Sequence, residues 1–116
     1  MLLNLSNHPS NLWSDEQMSQ AITEYNKVED LAFPQVKPEL DENQLDELVQ
    51  MYFEKVQRIR PKAVHVMGEM TFTYRLVSKL QKENIICIAS TTERKVFKES
   101  EGNKISKFHF VRFRKY

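Results

Sequence analysis

The strongest constraint on the fold is a short apolar run that passes through a glycine into an amphipathic segment, over residues 63–77. The run Ala63–Met67 is typical of a buried strand, Gly68 interrupts it, and the periodicity beyond predicts a helix over about 70–83. A second continuous apolar run, Ile85–Ala89, follows that helix. Two buried strands joined by a helix predict a right-handed crossover between parallel strands.

The same alternation of strands and helices is predicted for the residues before 63. Met1–Ser6 and Val28–Phe33 read as two further strands. An amphipathic helix, beginning at Glu39 or Asp41 and ending near Ile59, follows the second of them. Together with a helix between these two strands, the order is β-α-β-α-β-α-β, which predicts a parallel sheet.

The first helix is predicted from its cap. Ser14 precedes two acidic residues and stands three positions before Gln17, the spacing of a capping box. Met18, Ile22 and Tyr25 then fall on one helical face, which we expect to be the buried one.

The C-terminal part follows a different pattern. Thr92–Lys98 and Lys104–Phe113 both alternate, and residues 99–103 between them are typical of a turn. This predicts an antiparallel hairpin over about residues 93–114. Its phenylalanines Phe108, Phe110 and Phe113 suit either a homodimer contact or ordinary sheet core.

These elements predict one domain, residues 1–116. It is a Rossmann-like open α/β sheet with three helices, parallel strands in the order 2-1-3-4 and the C-terminal hairpin. No apolar run approaches the roughly 20 residues that cross a bilayer, and the N-terminus lacks the basic region of a signal peptide. The single cysteine, Cys87, fits a reducing cytosol, and its apolar neighbours predict a buried, inert thiol. A cytoplasmic protein without a membrane association is expected.

Charge is unevenly distributed along the chain. The formal net charge is +1, but residues 94–116 contain 8 Lys or Arg against 2 Glu, a local balance of +6. Such a basic end indicates an anionic partner, or equally the solvated, edge-protecting face of a strand.

The predicted strand order reverses between the first and third strands, and ligands of open α/β sheets bind where the order reverses. Three loops are expected to meet there, after the first, third and fourth strands. They contribute an imidazole, a carboxylate, a guanidinium, hydroxyls and a glycine: Ser6, Asn7, His8, Gly68, Glu69, Thr71, Ser90, Thr91 and Arg94.

Within this set, His8 and Glu69 are the candidate proton-transfer residues, and the others are candidate ligand-binding residues. The turn at Gly68 and Glu69 can also be an ordinary helix cap, and His8 a loop residue bonded to local backbone. His65 lies within a strand and is expected to be a packed core histidine. The sequence contains no dinucleotide fingerprint, P-loop or metal-ligand spacing, so no cofactor or metal is expected.

Three stretches give the chain a resemblance to small CRISPR-associated accessory proteins. They are Asn4–Pro9, His65–Thr73 and Ala89–Arg94. The resemblance implies a Rossmann-like domain of the kind that binds cyclic oligoadenylate as a dimer, and in ring nucleases cuts it without a metal. It also implies that the nine candidate residues line a two-fold phosphate-binding groove.

Two other function classes stay open at this stage. One is a nucleoside or nucleotide hydrolase, or a glycosyltransferase, with Glu69 as nucleophile or base. The other is a non-catalytic module that binds a protein partner through its hairpin edge. Sequence-specific nucleic-acid binding is not expected.

Overall fold

A computed structural model describes residues 1–98, 102 and 104–116. Its elements follow the predicted order. The strands are β1 (Leu2–Ser6), β2 (Val28–Asp30), β3 (Ala63–Met67), β4 (Ile86–Lys98) and β5 (Lys104–Lys115). The helices are α1 (Asp15–Tyr25), α2 (Glu42–Ile59) and α3 (Met70–Lys82), and a short 3-10 helix spans Ser10–Leu12.

The five strands form one sheet in the order β2-β1-β3-β4-β5. The first three pairings are parallel, and β4 pairs with β5 in the antiparallel sense. This confirms the predicted fold class, the strand order 2-1-3-4 and the C-terminal hairpin. Within the described part of the chain, no helix is long and apolar enough to cross a membrane.

The two faces of the sheet have different partners. Leu3, Leu5, Val64 and Val66 pack against the apolar faces of α2 and α3. Because side chains alternate along a strand, the intervening residues face the other side, where Leu2 and Ala63 pack with Trp13, Ala21 and Phe113. Asn4 and His65 occupy this second face, where the Trp13 and Phe113 rings contact His65.

The N-termini of α1 and α2 are capped by the residues that their sequences predict. Asp41 and Gln44 form a reciprocal capping box at the start of α2. The Ser14 hydroxyl accepts from the Gln17 backbone N–H at the start of α1, at 3.2 Å. Asn84, which follows α3, adopts a left-handed conformation with φ of 59°, as a C-terminal residue of this type permits.

The buried face of α1 differs from the prediction. Gln17 and Ala21 are buried, whereas Ile22 is 48% exposed. Met18 and Tyr25 are partly buried against the cluster that contains Ala21. The helix is therefore rotated so that a polar side chain, Gln17, faces the sheet, where it has hydrogen-bonding partners.

The second strand is shorter than predicted, since only Val28–Asp30 is strand. Leu31 still donates its backbone N–H to the Asn4 carbonyl at 2.9 Å. Beyond it the chain leaves the sheet edge, because the Phe33 ring packs edge-on against Phe72, with 5.2 Å between centroids.

The sequence predicts a loop from Ser90 that separates the fourth strand from the hairpin strand beginning near Thr92, and this separation is wrong. Residues 90–94 continue β4, which pairs with β5 from Ile88 to Lys98 through an irregularity between Thr91 and Thr92. The hydroxyl residues after the apolar run are thus held by a partner strand instead of forming a turn. The predicted turn at 99–103 falls on residues that, apart from Gly102, lie outside the described chain.

Candidate functional site

A cavity of about 440 Å³ opens on the α1 side of the sheet, at the carboxyl ends of β1 and β3. We refer to it as the crevice. Polar and apolar side chains from two strands, the loop after β1, α1 and the hairpin line it: Ser6, Asn7, His8, Leu12, Ser14, Gln17, His65, Met67, Ser90, Thr92, Phe108 and Phe110. Its place next to the reversal of strand order is the one predicted for a ligand site.

Two polar residues in the middle of apolar strands lie at the base of the crevice, and one of them, His65, lines it. Asn4 and His65 are register partners across β1 and β3 and are 1% and 2% exposed. His65 Nδ1 lies 2.9 Å from Asn4 Oδ1, and His65 Nε2 lies 2.6 Å from Ser90 Oγ. The buried histidine predicted from the sequence is confirmed, and it also reaches the crevice through Ser90.

Hydrogen bonds around Asn4 determine which imidazole nitrogen holds the proton. Asn4 Nδ2 donates to the His8 carbonyl at 3.0 Å and to Asp30 Oδ1 at 2.8 Å. The atom that faces His65 is therefore the amide oxygen, which can only accept, so His65 Nδ1 donates and Nε2 accepts. Ser90 must then donate its only hydroxyl proton to His65.

The resulting chain of hydrogen bonds runs in one direction. Gln17 Nε2 donates to Ser90 Oγ at 2.9 Å. Ser90 donates to His65, His65 to Asn4, and Asn4 to the carboxylate of Asp30. Because each bond polarises the next, the chain holds the imidazole with its accepting nitrogen, Nε2, directed at the Ser90 hydroxyl.

Burial keeps His65 neutral. Loss of solvation, with a smaller contribution from nearby His8, lowers the pKa of His65 to about 4. The Trp13 and Phe113 rings contact the imidazole with their edges, at centroid distances of 5.3 and 5.6 Å. At neutral pH the imidazole is thus a proton acceptor that is already held in place.

Asp30 is ionised at the far end of the chain. Its partial burial opposes ionisation, but hydrogen bonds from Ser10 and Asn4 hold the pKa of Asp30 below its usual value. Ser10 contributes both its hydroxyl, at 2.6 Å, and its backbone N–H, at 3.1 Å.

The walls of the crevice are apolar. Phe108 is 68% exposed on β5, and Leu12 is 64% exposed on the 3-10 helix opposite. Phe110 is half-buried and packs on Phe113, with 5.0 Å between centroids. Of the three phenylalanines on β5, Phe113 belongs to the core, whereas Phe108 offers an exposed aromatic surface beside the polar floor.

The crevice brings together four of the residues predicted from the sequence: Ser6, Asn7, His8 and Ser90. Ser6 is buried and donates to Asn4 Oδ1 at 2.8 Å or to the His8 carbonyl at 3.0 Å. The same carbonyl accepts from Trp13 Nε1 at 3.1 Å. These bonds fix the backbone of the loop after β1 and leave the His8 side chain exposed.

Glu69 lies outside the crevice. Its carboxylate caps α3, accepting from the backbone N–H groups of Thr71 and Phe72 at 3.0 and 2.8 Å and from the Thr71 hydroxyl at 2.7 Å. The Phe72 backbone bond, followed by the Thr71 bonds, lowers the pKa of Glu69. Glu69 and Thr71 border a separate recess together with Pro38 and Leu40.

Gly68 also lies outside, and its lack of a side chain has a packing reason. A Cβ atom built on Gly68 would overlap the ring of Phe33. The residue therefore accommodates an aromatic ring, where the sequence suggested close approach of a ligand.

Thr91 and Arg94 bond within the hairpin. Thr91 donates its hydroxyl to the Arg112 carbonyl at 3.0 Å, next to the irregularity in β4. The exposed Arg94 guanidinium donates to Ser106 Oγ at 2.8 Å. Neither residue lines the crevice.

Sequence reasoning missed Asn4, Gln17 and Phe108 as site residues and assigned His65 to the core alone. A signal was present: Asn4 and His65 are polar residues within two apolar strands, an expensive placement unless each is hydrogen-bonded. The two strands are adjacent in the predicted order, so the pair could have been proposed as neighbours. Gln17 carried no comparable signal.

The match to a family model covers residues 1–114 of the chain, and the family is described as the Uncharacterized protein MJ1673 family. Because this match covers nearly the whole chain, the protein belongs to the Uncharacterized protein MJ1673 family. No curated protein matches the chain.

Proposed function

We propose that this protein binds an oligoadenylate signal in the crevice, and that a homodimer of it binds cyclic oligoadenylate. This proposal is in keeping with the resemblance of the chain to CRISPR-associated sensor domains. The observation that supports this most directly is an aromatic wall above a polar floor at the ends of parallel strands. Phe108 can stack on a purine, while the hydroxyl, amide and imidazole groups below suit a ribose and its phosphates.

The resemblance and the crevice overlap along the chain. Each of the three stretches behind the resemblance contributes lining residues: Ser6, Asn7 and His8 from the first, His65 and Met67 from the second, Ser90 and Thr92 from the third. The excess of Lys and Arg in residues 94–116 would also attract a polyanionic ligand to the hairpin side.

Ring cleavage is a second part of this proposal. In a metal-independent ring nuclease, a ribose 2′-OH attacks the adjacent phosphate. This attack needs a group that accepts the hydroxyl proton. His8, which is exposed at the crevice, stays a candidate for this role. Glu69 is a weaker candidate, because its carboxylate is occupied at the start of α3.

Isothermal titration calorimetry with cyclic tri-, tetra- and hexaadenylate, with linear tetraadenylate and ATP as controls, tests binding. A dimer with one cyclic ligand across its axis gives a stoichiometry of about 0.5 per chain, and light scattering reports the oligomeric state independently. Chromatography of the incubated ligand detects linear products without added metal. Absence of heat and of any melting shift at about millimolar ligand refutes the proposal, since ligand at 100-fold over Kd adds roughly 2.7 kcal/mol of stability.

Two exposed aromatic residues make a matched pair of variants. Phe108→Ala removes the stacking surface and should weaken binding about ten-fold, because stacking of a base on an aromatic ring is worth roughly 1–3 kcal/mol. Tyr74→Ala removes a ring that is 74% exposed on α3, away from the crevice, and should leave affinity unchanged. Equal effects of the two variants would contradict the proposed binding mode.

A further inference from the structure

We propose that Ser90 is a nucleophile, activated by His65 and oriented through Asn4, that attacks carboxylic esters bound in the crevice. This acyl-transfer activity is separate from oligoadenylate binding and does not depend on it.

The geometry is that of a hydroxyl nucleophile, a base and a group that orients the base. Ser90 Oγ lies 2.6 Å from His65 Nε2, and His65 Nδ1 lies 2.9 Å from Asn4 Oδ1, both within hydrogen-bonding reach. An amide in the third position is known from other nucleophile–histidine–asparagine sites. The tautomer that such a site requires, with Nδ1 protonated and Nε2 free to accept, is the one that Asn4 imposes here.

The three residues Ser90, His65 and Asn4 differ in their exposure to solvent. Asn4 and His65 are almost fully buried, whereas Ser90 is half-buried and lines the crevice. The orienting groups are thus shielded from water, while the hydroxyl that would react faces the cavity. A network that served packing alone would have no need to present its first hydroxyl to a cavity.

The cavity suits a small ester. Its volume of about 440 Å³ holds a short acyl group, and Leu12 and Phe108 offer apolar surface to the leaving alcohol or phenol. Gln17 Nε2 already donates to Ser90 Oγ, and its second N–H can donate to the oxyanion that forms beside Ser90.

The reaction is balanced in two steps. Ser90 Oγ forms a bond to the carbonyl carbon, its proton passes to His65 Nε2, and the ester C–O bond breaks as His65 returns that proton to the leaving oxygen. Water then attacks the acyl-serine in the same manner, which releases the carboxylic acid and restores the serine hydroxyl.

A fluorophosphonate probe tests the nucleophile directly. Ser90 Oγ bonds to phosphorus, fluoride leaves, and the serine proton is lost through His65 to solvent, so the adduct is stable. Peptide mass spectrometry of the labelled wild-type protein should place the adduct on Ser90. Because this measurement uses the wild-type protein, it does not depend on whether any variant folds. Under the same conditions p-nitrophenyl acetate should release nitrophenolate as Ser90 is acylated.

Variants then test whether Ser90 reacts because His65 activates it or only because its hydroxyl is exposed. His65→Gln should lower the labelling rate at least 100-fold, the usual scale of general base catalysis. Ser78→Ala and His109→Gln, which lie outside the crevice, should label at the wild-type rate. Circular dichroism of each variant confirms that it is folded. A missing adduct, an adduct on Ser6 or Ser14, or an unchanged rate in folded His65→Gln overturns the proposal.

The pH profile gives a readout that a structural role would not produce. His65 is neutral down to about pH 4, because burial lowers its pKa to about 4. The ionisable groups near its ring are His8 and, through Asn4, the carboxylate of Asp30; Gln17 on α1 and Phe113 on β5 do not titrate. The labelling rate should therefore stay level from pH 8 to pH 5.5, a range in which a base with an ordinary histidine pKa of about 6.5 would lose most of its activity. A midpoint near 6.5 overturns the assignment of His65 as base.

Discussion

Lowering the pH should destabilise the folded protein through one residue, His65. The unfolded chain has an ordinary histidine there, with a pKa of about 6.5, whereas burial lowers the folded pKa to about 4. Below pH 6.5 the unfolded state therefore binds a proton that the folded state does not. Stability is complete above pH 6.5 and is lost as the pH falls towards 4.

The magnitude follows from proton linkage. Between pH 7.5 and pH 5.0, a site with these two pKa values lowers the free energy of unfolding by about 2 kcal/mol. For a domain of this size that corresponds to a melting temperature lower by roughly 8–10 °C. The range ends at pH 5.0 because carboxylates with lowered pKa, such as Asp30 and Glu69, add their own losses at lower pH.

Urea denaturation at a series of pH values measures this dependence. His65→Gln removes the ionisable group, so its stability should vary by less than about 0.5 kcal/mol over the same interval, whatever its absolute stability. His109→Gln, on the exposed hairpin, should keep the full dependence. A wild-type protein as stable at pH 5.0 as at pH 7.5, or a His65→Gln variant with the same slope, would refute the reasoning.

Two other substitutions test the turn between β3 and α3. Gly68→Ala should lower the free energy of unfolding, measured by urea denaturation, by about 1–3 kcal/mol, because the added methyl group overlaps the Phe33 ring. The same substitution should lower the free energy of unfolding by a smaller amount in a Phe33→Ala background. Glu69→Gln should cost about 0.5–1 kcal/mol through the weakened cap of α3, yet leave oligoadenylate affinity and Ser90 labelling unchanged. A loss of activity without a loss of stability in Glu69→Gln would restore the catalytic role that the sequence suggested.

The parallel sheet could be predicted because its signal is local and repeated. Apolar runs such as Ala63–Met67 alternate with amphipathic helices, and only a few topologies accommodate that order. The extent of β4 could not be predicted in the same way. The hydroxyl residues that end the apolar run indicated a loop between the fourth strand and the hairpin, and only pairing with β5 makes them part of one continuous strand.

The composition of the site depended on information that the sequence holds only indirectly. Ser6, Asn7, His8 and Ser90 were found because the ends of parallel strands converge. The pairing of Asn4 with His65 requires the register of β1 on β3, and Gln17 requires the rotation of α1, which differs from the face that Met18 and Ile22 suggested. Both depend on tertiary packing.

Glu69 and Ser90 show why hydrogen-bond direction, more than residue type, identifies a reactive group. By type, a carboxylate after a strand is the better candidate for chemistry, yet both oxygens of Glu69 accept bonds from the start of α3, and Glu69 does not line the crevice. Ser90 is intrinsically a far weaker acid and nucleophile. Its proton nevertheless has one acceptor, the neutral imidazole of His65. That imidazole donates its own N–H to Asn4, and Asn4 donates to the ionised carboxylate of Asp30. The bonds of Asn4 also hold the His8 carbonyl and Asp30, so the same polar residues that fix the loop after β1 orient the imidazole beside the hydroxyl in the crevice.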